Sequence, residues 1–155
     1  MATTPAHTGY VGVNGLTMYY EIHGTGQPVV LLHGAFSAIG TSFGALLPDL
    51  ARTRQVIAFD LQAHGRTADI DRPLSLEQMA DDAVAALAQL GIAQADFFGY
   101  SMGAGVALRV ALRHPPVVRK TGARLGHLHQ ERLAPRAPGG PGAHDPRCDG
   151  RVPVA

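Results

Sequence analysis

The pentapeptide G-Y-S-M-G at residues 99–103 is the feature that most restricts the fold of this chain. It follows a short apolar run, and its last two residues begin the segment 102–113, which is apolar nearly all round when drawn as a helix. We predict a tight strand-turn-helix in which Gly99 and Gly103 avoid side-chain clashes and Ser101 projects from the strand end. The simpler alternative is an ordinary turn whose serine hydroxyl caps the helix. The apolar context on both sides favours the first interpretation.

Apolar strand patterns and helical patterns alternate along the first three quarters of the chain. The predicted strands are 10–13, 16–23, 29–32, 55–59 and 95–98, and the predicted helices are 41–53, 75–90 and 102–113. Asn14-Gly15 predicts a hairpin between the first two strands, and Ser75 with Gly91 marks the ends of the second helix. This alternation indicates the α/β class, with a mostly parallel twisted sheet and helices on both faces.

Composition excludes several classes of protein. The 155 residues are 46% hydrophobic and 16% charged, which suits a globular core, and the net charge of +1 gives no reason to expect nucleic acid or a membrane as a partner. The single cysteine, Cys148, cannot form an internal disulfide, and the first residues lack a signal-peptide pattern. We therefore expect a cytoplasmic protein, and we expect neither a cofactor nor a metal site.

The character of the sequence changes near Lys120. Residues 121–155 contain six Gly, five Pro, five Arg and five Ala, and no Ile, Phe, Tyr, Trp or Met. No strand or helix pattern is evident there, and the composition predicts a disordered or aberrant tail. Because Gly, Ala, Pro and Arg have G/C-rich codons, we hypothesise an out-of-frame translation after codon 120. A naturally short or deliberately truncated protein is the alternative, and reading the other two frames of the gene separates them.

Three motifs in the first 120 residues resemble those of the α/β-hydrolase fold family. His33-Gly34 follows a buried strand, residues 60–67 (D-L-Q-A-H-G-R-T) follow the next one, and the Ser101 turn follows the third. The resemblance covers residues 10–120. Residues 1–120 are thus expected to form the N-terminal part of an α/β-hydrolase domain, with 121–155 as the tail. Ala63 and Thr67 depart from the family's D-x-x-G-H-G-x-S loop pattern.

The resemblance implies an acyl-transfer site around Ser101. In this family, Ser101 is the nucleophile at the end of the central strand, and the backbone N–H groups of Ala35 and Met102 stabilise the oxyanion. The supporting residues by position are His33, Gly34, Gly99 and Gly103. A serine, rather than the aspartate of epoxide-opening branches, implies a small-molecule ester-like substrate, and His-Gly-Ala-Phe resembles small esterases and perhydrolases. His33, His64 and Asp60 are interpreted as loop anchors in preference to catalytic groups.

The remaining two members of a serine triad are not evident. In the family they follow Ser101 in the order acid, then histidine, each after a further strand. Glu131, His127, His129 and His144 are available, but we interpret them as solvated tail residues. We therefore predict a serine hydrolase that is inactive in this chain; the alternative is a non-catalytic fragment. Without a further strand, the central strand would have an open edge through which copies of the chain self-associate.

Overall fold

The computed structural model describes residue 5 and residues 7–124. The strands are β1 (His7–Val13), β2 (Leu16–His23), β3 (Gln27–Leu32), β4 (Arg54–Phe59), β5 (Ala95–Tyr100) and β6 (Val118–Arg124). The helices are α1 (Ile39–Phe43), α2 (Leu47–Leu50), α3 (Leu76–Gln89) and α4 (Met102–Arg113), with a short 3-10 turn at Pro115–Val117. No described helix has the length and apolar character needed to cross a membrane.

The six described strands form one mixed sheet in the order β1-β2-β4-β3-β5-β6. β1, β2 and β4 are joined by antiparallel pairing, whereas β4, β3, β5 and β6 run parallel. Helices connect these four strands and let them run parallel, so their carboxyl ends lie at the same edge of the sheet. The predicted α/β class and mostly parallel sheet are confirmed.

Local sequence signals account for the hairpin and for α3. Asn14 and Gly15 have φ angles of 48° and 82°, as a two-residue turn with two left-handed positions requires. The Ser75 hydroxyl accepts a hydrogen bond from the Gln78 N–H at 3.1 Å at the start of α3. Gly91 follows the helix with a φ of 74°.

The core lies on both faces of the sheet. On one face, α3 and α4 cover a large cluster that includes Val30, Ile57 and Phe97, each 1% exposed or less. On the other face, α1 and α2 cover a smaller cluster around Leu31, Ala58 and Phe43. Adjacent residues of β3 and β4 therefore point to opposite buried faces, which is why these strands are continuously apolar.

The single helix predicted over 41–53 is wrong. The structure has two short helices, α1 and α2, separated by residues 44–46. Pro48 lies in the first turn of α2, where its missing N–H is tolerated. In a continuous helix the same proline would face the Gly44 carbonyl without a hydrogen bond and would break the helix.

The prediction that no strand follows residue 120 is also wrong. β6 pairs in parallel with β5 from Ala95 opposite Val118 to Tyr100 opposite Arg124. Sheet pairing uses backbone groups that any residue except proline supplies, so a strand forms here although most of its side chains are exposed. β5 is therefore an interior strand, and β6 lies at this edge of the described sheet. Self-association through an open edge stays a prediction; residues 125–155 lie outside the described residues.

The contact between α3 and α4 predicts a pH-dependent contribution to stability. Asp81 accepts hydrogen bonds from Arg113 Nη2 at 2.8 Å and from Arg113 Nε at 3.1 Å, and lies 2.7 Å from His114 Nε2. The hydrogen bonds from Arg113 lower the pKa of Asp81 below its ordinary 3.8, and His114 adds to the shift. The stabilisation is therefore fully present above about pH 4 and is lost as the pH falls through the lowered pKa.

We expect Asp81→Asn to lower the free energy of unfolding at pH 7 by about 0.5 kcal/mol, because the pair is largely solvent-screened. Urea unfolding of both proteins at pH 7 and pH 3 measures the difference. The two unfolding curves should approach each other at pH 3. A gap that stays constant with pH would rule out the ionic contribution.

Candidate active site

Backbone strain is concentrated at the carboxyl ends of three neighbouring strands. Of the non-glycine residues in the described part of the chain, Asn14, Phe36, Ala63 and Ser101 have positive φ. Asn14 belongs to the hairpin turn, but the other three follow β3, β4 and β5. Each such residue costs on the order of 1–3 kcal/mol, and strain of this kind persists mainly at functional sites. This edge is also where ligands bind to open α/β sheets.

Ser101 has the most unusual backbone of the three. Ser101 lies between the end of β5 and the start of α4, and has a φ of 53° and a ψ of −113°. Its N–H still belongs to the sheet and donates to the Arg124 carbonyl at 2.9 Å, while its own carbonyl accepts from the Ala104 N–H at 3.0 Å. The side chain is exposed and makes no capping hydrogen bond. The alternative in which the Ser101 hydroxyl caps α4 is therefore not observed.

Two glycines make this sharp turn sterically feasible. A Cβ on Gly99 would lie 2.1 Å from the Gly103 carbonyl oxygen, and a Cβ on Gly103 would lie 2.0 Å from the Leu32 carbonyl oxygen. Real Cβ atoms do not approach backbone oxygens so closely, because the atoms would overlap. The start of α4 can therefore pack against the ends of β3 and β5 only with glycine at both positions, as the sequence predicts.

The loop after β3 passes directly beside Ser101. A Cβ on Gly34 would lie 3.4 Å from Ser101 Cβ and 3.0 Å from Cδ1 of the Tyr100 ring. The next residue, Ala35, is exposed, and neither its N–H nor that of Met102 has a hydrogen-bond partner within residues 7–124. Two backbone donors without partners thus lie on the two segments that meet at Ser101. Their role in binding an oxyanion remains a proposal.

His33 is fixed by two backbone hydrogen bonds. Its Nδ1 donates to the Gly34 carbonyl at 2.8 Å, and its Nε2 accepts from the Leu61 N–H at 3.0 Å. These partners define a neutral tautomer, and burial lowers the pKa of His33 below 6.5. Both nitrogens are occupied, so His33 anchors the loop and has no lone pair left to act as a base. This agrees with the role of loop anchor expected from its position in the sequence.

His64 lies beside His33, with the ring centroids 5.1 Å apart. Its Nδ1 donates to the Gln62 carbonyl at 2.8 Å, within the loop that follows β4. It is half-buried and, in the described part of the chain, no hydrogen bond joins it to Ser101. The structure therefore places His64 in the predicted anchoring role.

Asp60 links the loops after β3 and β4. Its buried carboxylate accepts hydrogen bonds from the Ile39 N–H and the Arg66 N–H, each at 2.9 Å. The hydroxyl of Thr67 donates to the Asp60 carbonyl at 2.6 Å, so threonine retains the hydroxyl of the family's serine. Ala63 occupies the family's glycine position with a φ of 63°, so this departure adds strain.

Sequence reasoning missed one residue at this edge. Phe36 is fully exposed and has a φ of 55°, one residue beyond Ala35. From the sequence, Phe36 was expected only to complete the tetrapeptide His-Gly-Ala-Phe. A positive φ at a bulky residue depends on the tertiary contacts of its neighbours, so no local sequence pattern predicted it.

Within the described residues, no cluster of His, Cys, Asp or Glu could hold a metal ion.

Comparisons with known proteins agree with this geometry. A family model described as alpha/beta hydrolase fold matches residues 27–121. The 2-hydroxymuconate semialdehyde hydrolase of Pseudomonas sp. (strain CF600) is 36% identical over 100 residues, which are 63% of this chain and 35% of that protein. The chain thus spans well under half the length of this relative.

Solved structures show the same partial coverage. Est816, described as an N-acyl homoserine lactone degrading enzyme, has 31% identity and a TM-score of 0.68 over 74% of this chain and 44% of its own. The epoxide hydrolase CorEH has 27% identity and a TM-score of 0.72 over 76% and 41%. The family model covers more than half of this chain, and the turn at Ser101 lies inside the match. The chain belongs to the α/β hydrolase fold family.

Proposed function

We propose that Ser101 is the nucleophile position of a serine hydrolase for a small ester-like acyl substrate. The observation that carries this proposal is the exposed Ser101 on its strained turn, beside the N–H groups of Ala35 and Met102, which have no hydrogen-bond partner among the described residues. A serine hydroxyl must be exposed and close to oxyanion donors before it can attack a carbonyl. His33, Gly34, Gly99 and Gly103 serve this arrangement by holding the two segments together.

The proposed reaction proceeds through an acyl-enzyme. Ser101 Oγ attacks the carbonyl carbon, and the carbonyl oxygen becomes an oxyanion that accepts hydrogen bonds from Ala35 and Met102. The bond to the leaving alcohol then breaks, and the serine proton passes to that alcohol by way of a water molecule. Water releases the acid in a second step. Each oxyanion donor contributes on the order of 10²–10³ in rate.

The residue type at the Ser101 turn favours acyl transfer among the chemistries of related proteins. Relatives of this fold include proteins described as an epoxide hydrolase and as a degrading enzyme for an acylated lactone. The family resemblance associates aspartate at the nucleophile position with epoxide opening, and this chain has serine there. An ester, lactone or amide is therefore the substrate class we propose.

We further propose that turnover by this chain is very low. Within residues 7–124, no histidine or acid is hydrogen-bonded to Ser101, and both nitrogens of His33 are occupied. Glu131, His127, His129 and His144 lie outside the described residues. Loss of the triad base costs on the order of 10⁶ in turnover and leaves mainly oxyanion and binding effects. A non-catalytic fragment of a hydrolase is the alternative, distinguished by a serine that does not react at all.

A fluorophosphonate probe tests the proposal. Because phosphonylation needs the same activated hydroxyl as acylation, we expect slow labelling that is confined to Ser101 by peptide mass spectrometry and absent from Ser101→Ala. Ser75→Ala is the matched control, because Ser75 caps α3 away from the Ser101 turn, and it should keep the adduct. Adducts spread over several serines, or none on a folded sample, would refute the nucleophile role. Rapid repeated turnover of an ester that depends on Ser101 would instead refute the low-turnover part.

A further inference from the structure

Phe36 combines full exposure with an unfavourable backbone. Its side chain is 103% exposed, more than any other large hydrophobic residue among those described, and its φ is 55°. A bulky residue rarely adopts this conformation, because its Cβ crowds the backbone. The ring gains no burial in the described part of the structure to offset that cost. Neither helix packing nor core formation therefore explains why phenylalanine stands here.

The loop holds Phe36 in this position from both sides. Before it, His33 is tied to Gly34 and Leu61. After it, Ser37 Oγ lies 2.8 Å from Thr41 Oγ1, and the Ala38 N–H donates to the same hydroxyl at 2.9 Å. These hydrogen bonds fix the backbone on either side of residues 35 and 36. The ring is thus held outward rather than left free to collapse onto the core.

The location of Phe36 connects it to Ser101. It directly follows Ala35, so the Cα atoms of the two residues are about 3.8 Å apart. Gly34, just before Ala35, lies against Ser101 and the exposed ring of Tyr100. When the carbonyl oxygen of a substrate accepts a hydrogen bond from the Ala35 N–H, the groups attached to that carbonyl carbon therefore come within reach of the Phe36 ring.

We propose that Phe36 is a specificity-determining residue that contacts an apolar group attached to the scissile carbonyl. This inference rests on the proposed roles of Ser101 and Ala35. A preformed aromatic surface binds an alkyl chain or ring through the removal of apolar area from water, and it gains little from an acetyl-sized group. The preferred substrates are therefore esters with an extended apolar group on the acyl or the alcohol side.

Two isomeric esters distinguish these sides. Ethyl hexanoate and hexyl acetate have the same formula but place the longer chain on opposite sides of the carbonyl, and ethyl acetate lacks the chain. Ligand-observed NMR titrations of the full chain measure binding without requiring turnover. We expect Phe36→Ala to weaken binding of at least one long ester about fivefold and to change ethyl acetate less than twofold. The ester that loses more affinity identifies the side.

Two further variants keep the test specific. Phe36→Leu keeps an apolar side chain and should retain most of the affinity. Leu74→Ala removes another exposed apolar side chain, 53% exposed and outside the loop, and should change nothing. Unchanged affinity for both long esters in Phe36→Ala, equal loss for ethyl acetate, or no binding to the natural chain would overturn the proposal. Tighter binding of the long esters through Phe36, without any fluorophosphonate adduct on Ser101, would refute the nucleophile role but keep the apolar contact.

Discussion

Replacing Gly103 by alanine is expected to destabilise the fold by about 3 kcal/mol, the upper end of the range for overpacking a well-packed interior. The added Cβ would lie 2.0 Å from the Leu32 carbonyl oxygen and 2.6 Å from that of His33. Both obstacles are backbone atoms of a buried strand end, so they cannot move aside as a flexible side chain can. Either α4 shifts away from β3 or the turn at Ser101 distorts.

Gly105→Ala is the matched control on the same helix. Its Cβ would meet only the end of the Leu76 side chain, at 2.9 Å, and alanine has the higher helix propensity. Urea unfolding followed by circular dichroism should show a large decrease in the midpoint for Gly103→Ala and little change for Gly105→Ala. Equal midpoints for the two variants would show that the packing of α4 on β3 tolerates a side chain. The same two variants also test the turn, because fluorophosphonate labelling of Ser101 should fall in Gly103→Ala and not in Gly105→Ala.

The turn at Ser101 could be predicted from sequence because its requirements are local. Two glycines, an apolar strand and an apolar helix all occur within residues 95–113, and each has one simple steric or hydrophobic explanation. The hairpin at Asn14 and the cap at Ser75 are local in the same way. The interpretation of His33 also succeeded, since a histidine directly after a buried strand has backbone groups on neighbouring loops within reach.

Two of the three features that were missed depend on contacts distant in sequence. β6 forms on the backbone of β5 with mostly exposed side chains, so a search for an apolar run could not find it. The break between α1 and α2 is a local effect of Pro48, which fits only in the first turn of a helix. A search for apolar residues at helical spacing does not take this effect into account. The positive φ of Phe36 is imposed by hydrogen bonds on either side of it. β6 and the conformation of Phe36 were thus decided by tertiary structure rather than by local preference.

An ion pair between a loop and α3 was also not predicted from the sequence. Asp82 on α3 is 1% exposed and pairs with Arg72 from the preceding loop. The guanidinium also donates to Gln62 Oε1 at 2.7 Å, and Asn14 Nδ2 donates to Asp82 Oδ1 at 2.8 Å. The pair thus joins the β1–β2 hairpin, the loop after β4 and α3. A charged side chain next to another charge, as Asp82 is next to Asp81 and Arg72 is next to Asp71, gives no local indication of burial.

Arg72→Met is expected to cost about 3 kcal/mol, because it leaves the Asp82 carboxylate buried without its counter-charge. Removing both charges in Arg72→Met/Asp82→Leu should recover much of that loss, since an apolar pair requires no desolvation of ions. Arg113→Met is the matched control: its side chain is 47% exposed, and it should lower the urea midpoint far less. A double variant no more stable than Arg72→Met would mean that hydrogen bonds to Asn14 and Gln62, rather than charge compensation, dominate. In that case the network acts as a polar tie between loop and helix, and replacing either partner should cost the same.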